Sequence, residues 1–156
     1  MSKAFTKEDD DIPEPVRRVR QSSELPPGAV NYMTAEGARR LKSELDKLKA
    51  AQSVQGKRRQ QRTVELEHVL ASMTIVPVQE PTPDEVLFGA TVTVRAKSGE
   101  LARYRIVGVD ETKLEPGWVS WMSSLAKALI GAQVGQRVNL GEPPPGEEVE
   151  IVKIAY

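Results

Sequence analysis

The chain has no cysteine among its 156 residues and a single histidine, His68. That excludes disulfide scaffolds, thiolate nucleophiles and sulfur-ligated metal sites, and leaves His68 a surface or packing residue rather than a metal centre. Aromatic residues are scarce, at 4%, so Trp118 and Trp121 read as packing or partner contacts before they read as walls of a ligand pocket. Charge of either sign is not in excess: 22 Lys and Arg balance 22 Asp and Glu. No global field draws the molecule to nucleic acid or lipid, and any electrostatic preference must be local. No apolar run is long enough to span a bilayer or to form a signal-peptide core near Met1, so the expectation is a soluble cytoplasmic protein with no membrane partner. The length suits one ordinary domain, or a small domain with a helical accessory.

Residues 1–30 combine charge clusters with Pro13, Pro15, Pro26 and Pro27, and hold too few large apolar side chains to offset the cost of ordering a backbone; a disordered tail is expected. Glu8 to Asp11 is then a solubilising run rather than a metal site. Helical periodicity begins at Thr34, whose hydroxyl can cap the first turn while Glu36 complements the dipole. Ala38, Leu41, Leu45 and Leu48 recur at helical spacing. After a break near residues 51–56, Leu66, Val69, Leu70 and Met73 restore the pattern, so 31–75 is expected to be a short antiparallel helical hairpin, a coiled coil. Pro77, Pro81 and Pro83 make 76–85 a linker. Beyond it, β-type alternation over Thr91 to Val94 and Ala102 to Val107 around the turn Lys97-Ser98-Gly99 predicts an antiparallel hairpin of strands. A third strand near Trp118 to Trp121, a helix from Ser124 to Ile130, a fourth strand over Gln136 to Leu140 and a last one over Glu148 to Ala155 complete an α+β domain.

The segment Ser120-Trp-Met-Ser-Ser-Leu-Ala-Lys-Ala-Leu-Ile-Gly-Ala-Gln-Val-Gly135 closely resembles the C-terminal signature of the bacterial GreA/GreB transcript-cleavage family. Phe88 to Val94 and Tyr104 to Glu111 resemble its first two strands and following acidic loop, Gly146 to Tyr156 its closing strand, and Asn31 to Leu45 the opening of its helical hairpin. The resemblance implies an FKBP-like domain over 86–156 that docks on RNA polymerase, and a hairpin that enters the secondary channel. In that family two acidic side chains at the hairpin tip help hold a magnesium ion for hydrolysis of backtracked RNA. Hard magnesium prefers carboxylate oxygens, and two metals stabilise the attacking and leaving oxygens of the cleaved phosphodiester.

From Lys49 to Arg62 this chain has no Asp or Glu. Its charges there are cationic and would repel a divalent metal. The expectation is therefore a cleavage-inactive member, not itself an enzyme, with no catalytic residue, metal or cofactor. The first helix spans about 24 Å at 1.5 Å per residue, a short reach that resembles the abbreviated coiled coil of Rnk, a relative that binds polymerase without cleavage. By the same resemblance Ser123 is carried over directly as a polymerase-binding residue, and Met122, Ser124 and Leu125 by position, since Met-Ser-Ser stands where the family commonly has an acidic or serine residue, then Ser-Pro. Lys57, Arg58, Arg59 and Arg62 read either as a solvated helix face or as a weak contact for RNA, DNA phosphate or polymerase. Asp110 and Glu111 read as a structural loop. A monomer binding RNA polymerase is the expectation; an active cleavage factor and a peptide-binding scaffold are its alternatives.

Overall fold

The computed structural model describes residues 25–51, 56–80, 82–140 and 146–156. The expected disordered tail lies outside them up to residue 24, as do residues 52–55 of the break between the helices.

Strand β1 (Asn31–Thr34) runs directly into helix α1 (Ala35–Ala50). Thr34 is extended, and its Oγ1 accepts the Gly37 N–H at 3.0 Å; this is the cap expected of a hydroxyl preceding an apolar-periodic run. Glu36 in the first turn and Lys47 and Lys49 in the last complement the dipole at both ends. The apolar stripe of α1 buries Ala38, Leu41 and Leu45 against Leu66 and Val69 of α2 (Lys57–Ser72), with Met33 of β1 completing the cluster. Leu41 and Leu66 are both 1% exposed, so each contributes about 2 kcal/mol of burial. Helix α2 ends one residue before the periodicity does: Met73 turns extended and opens β2 (Met73–Val76), although its side chain still packs against the hairpin cluster. β2 pairs in parallel with β1, from Asn31↔Met73 to Thr34↔Val76, so a two-stranded base ties the ends of the hairpin together.

The globular part comprises β3 (Thr91–Ala96), β4 (Leu101–Val107), β5 (Trp118–Ser120), helix α3 (Ser124–Leu129), β6 (Arg137–Leu140) and β7 (Glu147–Ala155), in sheet order β5-β4-β3-β7-β6. Alternation does its expected work in β3, where Val92 and Val94 are buried while Thr91 and Thr93 stay partly exposed and Arg95 exposed. Gly99 closes the β3–β4 turn with φ +89°, a conformation favouring glycine. One pair breaks the antiparallel order of the sheet: β5 lies parallel to β4, Arg105↔Trp118 to Val107↔Ser120. A parallel neighbour cannot be reached by a tight turn, so the chain crosses over through residues 108–117, and that connection carries Glu111. Helix α3 lays Ala126 and Leu129 on the same core as Val92, Ile106 and Ile151. No helix among the described residues is long and apolar enough to cross a membrane.

Candidate functional site

Three neighbourhoods among the described residues bear on the residues singled out from sequence. The first is the turn between β5 and α3. Trp121 N–H donates to Val107 O at 2.9 Å, continuing the parallel pairing, and Met122 N–H donates to Ser120 Oγ at 3.1 Å. Ser123 then caps α3: its Oγ accepts the Ala126 N–H at 3.1 Å and donates to Ser120 O at 2.7 Å. The hydroxyl thus both donates and accepts inside the turn, with one lone pair remaining. Ser124 is exposed, while Met122 and Leu125 are half-buried. Trp121 is wedged from behind by Tyr32 of β1, edge-on at 5.5 Å between ring centroids, and Tyr32 also meets Phe88 at 6.1 Å. The four residues singled out from sequence, Met122, Ser123, Ser124 and Leu125, therefore lie together on one braced turn.

The second neighbourhood is the basic run at the start of α2. Lys57 and Arg58 are exposed and Arg59 is half-buried. Arg62 is tied into the hairpin: its Nε and one terminal nitrogen reach the two oxygens of Glu44 on α1 at 2.7 and 3.0 Å, and the other terminal nitrogen lies 3.1 Å from Glu65. The hydrogen bond to Glu44, ahead of its opposing burial, holds the Arg62 pKa above the ordinary arginine value. A second link between the helices, Lys49 to Glu67 at 2.8 Å, lies on more exposed side chains. Of the four cations considered for a phosphate or polymerase contact, Lys57 and Arg58 face solvent, whereas Arg62 spends its fork on two carboxylates. Among the described residues there is no group of three or more His, Cys, Asp or Glu able to hold a metal ion.

The third neighbourhood joins the hairpin base to the globular part. Glu111, read from the sequence as part of a structural loop, is wholly buried. Its carboxylate accepts the Thr34 N–H at 3.1 Å, the Gly108 N–H at 2.6 Å and the Thr34 hydroxyl. Burial pushes the Glu111 pKa up, against the pull of the Thr34 and Gly108 donors. Asn31 Nδ2 donates to the neighbouring Asp110 at 3.1 Å. Outside this core, the guanidinium groups of Arg105 and Arg40 lie 4.7 and 5.1 Å from the Trp118 ring centroid. Glu36 bridges both arginines, and the hydrogen bond from Arg105, opposed by burial and assisted by Arg40, holds its pKa below the ordinary glutamate value. Gly37, a poor helix former in the first turn of a helix, is a further sequence signal for this joint.

Residues 80–156 match the family model described as transcription elongation factor, GreA/GreB, C-terminal. Over 152 aligned residues the chain is 34% identical to transcription elongation factor GreA of Methylococcus capsulatus, covering 80% of this chain and 96% of that protein. It is 40% identical over 96 residues to GreA of Anaeromyxobacter sp., covering 61% of this chain and 58% of that one. With GreB of Neisseria meningitidis serogroup B it shares 37% over 86 residues, 55% of this chain and 53% of the relative. The chain thus spans less than two thirds of the latter two proteins. Among solved structures it is similar to the GreA/GreB elongation factor of Nitrosomonas europaea, at 23% identity and a TM-score of 0.43 over 82% of this chain and 99% of that one.

Proposed function

The chain belongs to the GreA/GreB family of transcription elongation factors, and from that premise we propose that it binds bacterial RNA polymerase and modulates transcription without stimulating transcript cleavage. The Met122 to Leu125 turn is the docking surface, and the short hairpin projects toward the secondary channel. Supporting the first part is the bracing of that turn: a surface held by Ser120, Ser123 and Tyr32 loses little freedom on binding. Carrying the second part is the absence of any carboxylate from Lys49 to Arg62. Recruitment of a second magnesium ion needs oxygen ligands, and amines and guanidinium groups supply none. Of the carboxylates that flank this stretch, Glu44 and Glu65 are occupied by Arg62 and Glu67 by Lys49, which leaves the exposed Asp46 as a single carboxylate near it. Lys57 and Arg58 make at most a weak contact with nucleic-acid phosphate or an acidic wall of the channel. The factor acts as a monomer in the cytoplasm and competes with cleavage-competent relatives for the same entrance.

Two assays on the same purified components test this reading. Core polymerase is expected to retain the protein in a pull-down, and arrested elongation complexes to release no additional short RNA when it is added at saturating concentration. Absence of binding where a cleavage-competent relative binds sinks the first part. Accelerated RNA hydrolysis sinks the second.

A further inference from the structure

We infer that Glu111 is a positioning residue that splices the first turn of α1 to the β4–β5 crossover and so fixes the direction of the hairpin relative to the Met122 to Leu125 turn. Calling that turn a docking surface rests on the function proposed above; the splice itself does not.

The covalent connection between the two parts is a weak constraint. Within 77–85 the described residues form no helix or strand beyond the single bridge of Glu85 to Gln133, so the linker alone leaves the hairpin free to swing. Glu111 removes that freedom by its geometry. It comes from the globular part, yet two of its three donors, the N–H and hydroxyl of Thr34, belong to the residue that caps α1, and the third is Gly108 on its own side. The carboxylate therefore sits between the two bodies and is satisfied only when both are in place. Turning the hairpin away would leave a buried anion short of donors, or Thr34 without its acceptor, and each is costly.

Two glycines show how closely the pieces are cut to one another. A Cβ on Gly37 of α1 would lie 1.7 Å from Glu111 Oε1, and one on Gly108 would lie 2.1 Å from the Tyr32 carbonyl oxygen. Neither φ lies in the left-handed region, so these positions are open to glycine for proximity and not for backbone conformation. Tyr32 then carries the constraint onward, because its ring packs on Trp121, the residue before Met122. A second layer seals the splice, with Glu36 of α1 bridging to Arg105 of β4 beside Trp118. A partner that reads both the turn and the hairpin meets them at one fixed spacing, which raises the effective concentration of the second contact once the first is made.

The test uses the full chain. Because it has no cysteine, Gln60→Cys and Lys153→Cys, both at exposed positions, place one spin label on the hairpin and one on the sheet. Electron-electron double resonance on the free protein is expected to give one narrow distance distribution. Glu111→Gln, whose amide puts a donor where a donor already points, roughly doubles its width, as release of a hinge would. Gly37→Ala, which favours helix yet evicts the carboxylate, does the same from the other side. Lys113→Gln, an exposed change in the same crossover, leaves it as it was. If Glu111→Gln does not fold, Gly37→Ala decides. A distribution of unchanged width in folded variants, with only a lowered melting temperature, is what a purely structural carboxylate would produce, and overturns the inference. Failure of the parent protein to bind polymerase would instead strike the proposed function and leave this measurement standing.

Discussion

Thr34 serves two roles at once, capping α1 with its hydroxyl oxygen and giving its hydroxyl proton and N–H to Glu111. Half of that was legible in advance: a threonine ahead of an apolar-periodic run with a glutamate two residues on predicts a cap. The other half was not, because Glu111 lies 77 residues away and nothing in a local pattern distinguishes a buried acid from a solvated one. The protonation of this joint is open to experiment. Glu111 has its pKa raised by burial, so it holds its proton more tightly in the folded than in the unfolded chain. Its favourable contribution is complete below the unfolded glutamate value and is lost as pH rises through the raised one. Glu36, lowered by Arg105, runs the other way: its contribution is present above the ordinary value and disappears as pH falls through the depressed one. Replacing Glu111 by Gln removes only the first dependence. In urea titrations the advantage of the parent over Glu111→Gln should widen as pH is lowered from neutral toward the ordinary glutamate range. An advantage that narrowed would mean that the Thr34 and Gly108 donors outweigh burial.

Elements with strong periodicity were readable, and those defined by their neighbours were not. The stripe Ala38, Leu41, Leu45 announced α1, and the alternation in β3 and β4 announced the central strands, because burial of one face imposes a period on the sequence. Strands β1 and β2 have four residues each, too few for a period to be seen, and they exist because each supplies the other's backbone partners. The parallel placement of β5 was equally hidden, since three residues carry no sign of strand direction. Helix α3 was anticipated nearly to its ends, and its start invites a specific change. Ser124 is its first residue, and Ser123 before it has φ −68° and ψ 153°, the region that a residue preceding proline prefers. Proline is well suited to the first helical position, where an N–H lacks a partner within the helix. Ser124→Pro should therefore stabilise the protein by about 0.5 kcal/mol through the unfolded state. It should also tighten binding to core polymerase by pre-organising the turn. Chemical denaturation and a binding titration check the two effects separately, and a loss of stability would mean that the turn depends on the Ser124 N–H or hydroxyl.

At the scale of the whole molecule, charge is balanced, 22 against 22, and the hairpin and the globular part each keep a core of their own. The candidate contacts are divided between them: a braced turn with half-buried Met122 and Leu125 on one and an exposed pair of cations on the other. Both were named from sequence, but the sequence could not say that Arg62 is already consumed by Glu44 and Glu65, which leaves the basic end weaker than its composition suggests. Exposed charges interact through water and salt, and a single surface pair is worth no more than about 1 kcal/mol. A half-buried apolar side chain in a rigid setting can carry more, since truncation of an interface anchor costs upward of about 1 kcal/mol and often about 2. Leu125→Ala should therefore weaken binding to core polymerase more than Arg58→Glu does, in proteins shown to be folded at the assay temperature. The two losses should also differ in character. The Arg58→Glu deficit should shrink as salt rises and the Debye length falls to a few ångströms, whereas the Leu125→Ala deficit should persist. If the order were reversed, and the larger loss were the salt-sensitive one, the hairpin would be the anchor and the turn a passive support, because only a contact dominated by charge responds to salt in that way.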